Sequence, residues 1–160
     1  MKRRRSVPGR RWIFLALSLL WMLVIFTFSA QDGEASGTIS ITVSSALHLP
    51  EWLIRKGAHM AEYVVLAVLL SGFFSTFPSL GRKRQGAAAW LFSVLYAATD
   101  EFHQIFSGGR TPAVRDVLID GSGAALGAAL FFLAVWMKEK RQRKIQEQID
   151  WKDLTKEGRG

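Results

Sequence analysis

The sequence of 160 residues contains no cysteine, and acidic residues are scarce. Without cysteine the chain has no disulfide framework, no thiolate nucleophile and no cysteine-based metal site. The 21 Lys and Arg outnumber the 13 Asp and Glu, so the formal net charge is +8. A basic chain can bind nucleic acid, but here the basic residues alternate with long apolar runs. That pattern favours the anionic inner leaflet of a membrane as partner, and we expect no nucleic acid.

Four apolar runs are long enough to cross a bilayer, which requires about 20 mostly apolar residues. They are Trp12 to Ala30, about Ala58 to Phe77, about Ala87 to Phe106, and Val117 to Met137. The first has a basic start like that of a signal peptide, but its apolar core is longer than the usual stretch of about 7–15 residues. We interpret it as an uncleaved helix. The sequence therefore predicts an all-α fold, a four-helix transmembrane bundle.

Lysine and arginine predict how this bundle is oriented. They cluster before the first run, between the second and third, and after the fourth, and they are few on the other side. Because basic loops stay in the cytoplasm, we expect a multi-pass protein of the plasma membrane with both termini cytoplasmic. The chain then divides into a basic N-terminus (1–11), a membrane domain (12–137) and a basic tail (138–160). Both basic termini would lie against anionic lipid.

The segment between the first two runs, Gln31 to Glu51, is polar at its start and then mixes Ser and Thr with apolar residues. The alternation from Ile39 to Val43 would suit a strand. We prefer a short amphipathic segment on the outer surface that ends at Pro50 and could cover the membrane domain like a lid.

Ionisable and polar residues interrupt the apolar runs at one depth, the extracytoplasmic third. They are Lys56, His59, Glu62 and Tyr63 in the second run, Asp100, Glu101, His103 and Gln104 in the third, and Asp116 and Asp120 at the fourth. Spacings of three and four place such residues on shared helix faces. Below the last two acids, Gly123 and Gly127 continue the face and would allow close helix packing. Each charge is costly in lipid unless it is paired, so this convergence predicts one polar site.

These residue types are compatible with several kinds of chemistry. Lys56, Arg110 and Arg115 could neutralise the acids or hold a phosphate or carboxylate of a ligand. His59 or His103, beside carboxylates, could act as general acid or base near neutral pH. Two histidines with several carboxylates could also bind a divalent metal ion, although no HExxH motif is present, so the cofactor is left open. Alternatively, the paired charges only lock the helices together.

Three segments resemble the VanZ family: "FSAQ" after the first run, "RKGAHMAEYVVLA" in the second, and "YAATDEFHQIFSGGRTPAVRDVLIDGSGAALG" across the third and fourth. The resemblance covers about Phe28 to Gly127. It implies a small bacterial membrane protein from a family whose founding member is associated with resistance to the glycopeptide antibiotic teicoplanin. The matching motif residues are Lys56, His59, Glu62, Tyr63, Asp100, Glu101, His103, Gln104, Arg110, Asp116 and Asp120. Asp120 stands where many members have Asn, which argues against a role that depends on its charge.

Three functional hypotheses follow. The first is a membrane-embedded hydrolase or transferase that acts on a cell-envelope or lipid-linked substrate. Its catalytic residues would be His59, Glu62, Asp100, Glu101, His103 and Asp116, and its substrate-binding residues Lys56, Tyr63, Gln104, Arg110 and Asp120. The second is a non-catalytic protein that binds an envelope ligand or lipid. The third is an ion-coupled carrier, for which four spans without a visible inverted repeat are few.

Overall fold

Most of the described part of the chain is helical. A computed structural model describes residues 8–29, 44–46, 48–104 and 113–157, and these ranges contain no strand. The long helices are α1 (Pro8–Ser29), α2 (Glu51–Phe74), α3 (Gly81–Gln104) and α4 (Val114–Glu157), and a short 3-10 turn (Pro78–Leu80) precedes α3. The all-α prediction is confirmed for these ranges. The predicted outer-surface segment lies largely outside them, as does Arg110.

Three helices are long and apolar enough to cross a membrane: Gly9–Ser29, Glu51–Phe74 and Val114–Ile149. The remaining long helix, α3, is too polar to count as a membrane span by composition. Arg82 to Arg84 lie in its first turn, and Asp100 and Glu101 lie near its end. The charge-free stretch between them, 85–99, has only 15 residues. A membrane protein is thus supported by three helices, whereas the crossing of α3 and the cytoplasmic position of the termini stay predictions.

All four helices begin before the apolar runs that predicted them, and α2 and α4 show the largest differences. The run from Ala58 corresponds to α2, which begins at Glu51 directly after Pro50, so Lys56 and His59 are helical. The run ending at Met137 corresponds to α4, which continues without a break to Glu157. Apolar composition reports where lipid would contact a helix, while backbone hydrogen bonding continues as long as the residues favour it. The predicted domain division at 137/138 therefore falls inside one helix.

Contacts between helices set their relative directions. Phe14 lies against Gly72, and Trp21 bonds to Glu62, so α1 and α2 are antiparallel. Tyr96 bonds to Met22, which with the contact between Phe26 and His103 makes α3 parallel to α1. At one end of α3 and α4, Arg82 pairs with Glu139. At the other end, Glu101 accepts a hydrogen bond from Ala113, so α3 and α4 are antiparallel. The basic starts of α1 and α3 therefore lie at the same end as the basic part of α4, which we call the basic end.

The closest helix approach joins α2 and α4. A Cβ atom added to Gly123 would lie 2.5 Å from the carbonyl oxygen of Met60, and one added to Gly127 would lie 2.2 Å from that of Val64. Real side chains cannot occupy such positions, so glycine is required for the two backbones to touch. This confirms the predicted role of the two glycines, and it fixes α4 against α2 just below the predicted polar site.

Large apolar side chains cover the outside of the molecule. On α1, Trp12, Ile13, Leu19 and Leu20 are each more than half exposed. In water so large an apolar surface would promote aggregation, whereas in a bilayer it contacts lipid tails. The buried interior is small and includes Ile25, Tyr63, Leu66, Leu70, Ala89 and Ala97. The interior thus holds the helices together by close packing, and the outer face suits lipid.

Candidate functional site

The predicted polar residues of α2, α3 and α4 meet in the interior. His59 lies beside Glu62, with 3.4 Å between Nδ1 and Oε2. The charges of Asp100 on α3 and Asp120 on α4 act on the same imidazole. We call His59, Glu62, Tyr63, Asp100 and Asp120 the polar cluster. Three separate helices contribute to it, as the sequence predicted.

Tyr63 lies at the centre of the polar cluster. Its side chain is completely buried. The carboxyl groups of Asp100, Asp120 and Glu62 lie close enough to interact electrostatically with its hydroxyl. The hydroxyl oxygen is shielded from solvent and has no hydrogen-bond partner among the residues that the structure describes. A buried hydroxyl without a partner costs about 1–3 kcal/mol, so native proteins seldom keep one without a use.

Lys56 forms an ion pair with Asp116 across the α2–α4 interface. Both side chains are about one-third exposed, so the pair lies at the edge of the interior. Of the two roles predicted for Lys56, the geometry favours neutralising an acid over holding an anionic ligand. An anion that bound Lys56 would have to share the ammonium group with Asp116.

Glu101 has a structural contact of its own. Its Oε1 accepts a hydrogen bond of 2.8 Å from the backbone N–H of Ala113, the residue before α4 begins. The first N–H groups of a helix lack partners within the helix, and a carboxylate there is favourable. Glu101 is buried, and it ties the end of α3 to the start of α4. This contact positions Asp116 and Asp120.

The remaining predicted residues are placed less centrally. The ring of His103 packs against Phe26 of α1, with 4.5 Å between ring centroids. Arg115 lies exposed in the first turn of α4. Gln104 is the last residue of α3, and its side chain lies outside the described part, as does all of Arg110.

A metal site is not assembled by these residues as they stand. In the described ranges, no group of three His, Asp or Glu side chains is arranged to hold a metal ion. His59 and Glu62 approach each other to 3.4 Å, but no third ligand completes a site with them in the part of the chain that the structure describes. The divalent cation that the sequence left open thus gains no support from the described geometry.

Two aromatic residues form hydrogen bonds that join α1 to α2 and α3 beside the polar cluster. The Trp21 indole donates a hydrogen bond of 2.9 Å to the carbonyl of Glu62, and the Tyr96 hydroxyl donates one of 2.6 Å to the carbonyl of Met22. Trp21 was not among the residues that the sequence predicted for this region. A signal was available, because an indole N–H in the middle of an apolar span needs a partner where water is absent.

Comparison with known proteins agrees with this architecture. The VanZ/LLP1 family profile matches residues 14–135, which is well over half of the chain and includes every residue of the polar cluster. No curated protein and no solved structure matches. The helices, the cluster they enclose and the extent of the match lead to one conclusion: the chain belongs to the VanZ/LLP1 family.

Proposed function

We propose that this protein is a membrane-embedded enzyme whose polar cluster acts on a cell-envelope or lipid-linked substrate at the outer leaflet. The observation that carries the proposal is His59 beside Glu62, next to the unpaired hydroxyl of Tyr63. Paired ionisable groups can serve packing alone, but packing alone gives no reason to bury an unsatisfied hydroxyl.

The chemistry that suits these groups is hydrolysis or group transfer. Glu62, whose Oε2 lies 3.4 Å from Nδ1 of His59, would orient the imidazole and leave Nε2 to accept a proton from an attacking water or hydroxyl. The same proton would then pass to the leaving oxygen of the substrate. Tyr63 would donate its hydrogen bond to the charge that develops on the substrate. His59 is favoured over His103 as acid or base, because the ring of His103 packs against Phe26.

The test uses the family's phenotype as well as chemistry. A bacterial host would express the wild type, His59→Ala, Glu62→Gln or His48→Ala, and its lipids and envelope precursors would be profiled by mass spectrometry. Teicoplanin susceptibility would be measured on the same strains. His48 is an exposed histidine outside the cluster, so it is the matched control. Loss of a general acid–base costs about 10²–10⁴-fold in rate. We therefore expect His59→Ala to abolish the change in the profile and His48→Ala to preserve it.

A non-catalytic envelope-binding protein is the second candidate. It is favoured because two of the predicted catalytic residues already have structural partners, namely Asp116 with Lys56 and Glu101 with the Ala113 N–H. A binding site predicts graded losses, with substitution of Lys56 more damaging than that of either His59 or His103. If His59→Ala retained most of the wild-type effect while Lys56→Gln reduced it, the enzyme proposal would be wrong.

A further inference from the structure

A groove runs along α3 and α4 at the basic end, away from the polar cluster. Arg82 and Lys83 lie at one end of it. It is a shallow, open groove with a volume of about 420 Å³. Its walls are formed by Gly86, Ala87, Ala128, Ala129 and Phe132. No residue of the polar cluster lines it, so it is a separate feature.

The walls of the groove are apolar and exist because the residues are small. Ala87 and Ala129 are exposed, so the groove is open to the surroundings of the helix pair. A Cβ atom on Gly86 would lie 3.3 Å from the ring of Phe132, which shows how closely the floor is packed. Ala128, Ala129 and Phe132 belong to the part of α4 that is apolar enough to span a membrane. A long hydrocarbon chain therefore suits this surface.

The mouth of the groove is positively charged. Arg82 is paired with Glu139 of α4, whereas Lys83 is exposed and has no ion-pair partner in the part of the chain that the structure describes. Both residues lie in the first turn of α3, where backbone N–H groups lacking helical partners add positive potential. Lys140 also lies near this end, over the ring of Trp136. Charge at the mouth and apolar walls below it match the two parts of an anionic lipid.

We propose that this groove binds an anionic glycerophospholipid, with an acyl chain along the apolar walls and the phosphate at Lys83 and the start of α3. A second copy of the protein fits the groove less well. A symmetric contact through this face would bring the Arg82 and Lys83 of both copies together, and like charges repel. The proposal does not depend on the activity of the polar cluster.

The test compares two neighbouring basic residues. Detergent-purified protein would be titrated with phosphatidylglycerol or with phosphatidylcholine of the same acyl chains, and lipid adducts would be counted by native mass spectrometry. Lys83→Gln removes a charge at the mouth, and Arg84→Gln removes the same charge one residue away, outside the lining. A basic residue near anionic lipid contributes about 1 kcal/mol, which corresponds to about fivefold in affinity. We expect Lys83→Gln to weaken phosphatidylglycerol binding about fivefold and Arg84→Gln to leave it nearly unchanged.

A second pair of variants tests the groove itself. Ala87→Leu would fill the groove and reduce binding of both lipids, whereas Ala98→Leu, at an exposed position of α3 outside the lining, would not. Equal losses in Lys83→Gln and Arg84→Gln would mean diffuse attraction to a basic surface and would overturn the proposal. Unchanged binding in Ala87→Leu, or a dimer that Ala87→Leu disrupts in place of a lipid adduct, would overturn it as well.

Discussion

At the scale of single residues, Tyr63 gives the sharpest separation of stability from function. Removing a buried hydroxyl that has no partner also removes its desolvation cost, so Tyr63→Phe is expected to preserve or raise thermal stability, by about 1 kcal/mol. If the hydroxyl donates a hydrogen bond to a substrate, the same variant should lose the change in the lipid and envelope-precursor profile. Thermal unfolding in detergent and the cellular assay check the two halves together.

The control for Tyr63 is Tyr96, because its hydroxyl does have a partner. Tyr96→Phe deletes the hydrogen bond to Met22 and leaves that carbonyl unpaired by a side chain, so it is expected to lower stability. A stable Tyr63→Phe that keeps full function would contradict the hydrogen bond proposed between the Tyr63 hydroxyl and the substrate.

Sequence spacing identified the residues of the polar cluster but not their partners. Helical periodicity correctly grouped His59 with Glu62 and Tyr63, because positions on one helix follow from spacing alone. The pairing of Lys56 with Asp116, and of Glu101 with the N–H of Ala113, depends on the register between helices. No pattern within a single apolar run specifies that register. The sequence therefore could not predict which of these residues pair with one another across helices.

At the scale of the helix, the contact of α4 with α2 depends on Gly127. Because an added Cβ atom would overlap the backbone carbonyl of Val64, Gly127→Ala must push the two helices apart. Overpacking of this kind costs about 1–3 kcal/mol. We expect a lower unfolding temperature in detergent.

The matched control for Gly127 is Gly57 on α2, which has nothing within 4 Å of an added Cβ atom. Gly57→Ala should be neutral or slightly stabilising, since alanine favours a helix over glycine. Equal unfolding temperatures of Gly57→Ala and Gly127→Ala would show that α2 and α4 do not touch at Gly127.

Helix limits were predictable only in part. Apolar composition located α1 and α2 well, because both contain long runs with few charges. It did not show that α4 continues to Glu157, since the residues after Met137 are polar and carry no lipid signal. The helix α3 was predicted as a span, but its charge-free part is short. Where charges lie at both ends of a short apolar run, composition alone cannot decide between crossing and packing.

At the scale of the whole molecule, the absence of cysteine makes the membrane topology directly measurable. Single cysteines would be introduced at Leu49, Val114, Arg84 and Lys140, all of which are exposed. With both termini cytoplasmic and α3 crossing, a membrane-impermeant maleimide added to intact cells should label Leu49→Cys and Val114→Cys. The other two should react only after permeabilisation.

Each alternative topology gives its own pattern. If α3 did not cross, Arg84→Cys and Val114→Cys would share one accessibility. If the basic end faced outward, the whole pattern would invert. The cysteine-free chain serves as the control for background labelling.

The unbroken course of α4 also has a mechanical consequence. Its 44 residues make a rod of about 66 Å, more than twice the hydrocarbon thickness of about 30 Å. Asp116 and Asp120 occupy one end of that rod, and the basic stretch beyond Met137 forms the other. A stiff rod held by glycines near one end acts as a lever. Rotation of the rod about the glycines would change the distance between the two carboxylates and His59, and it would also break the ion pair between Arg82 and Glu139, so the pair holds the lever in place.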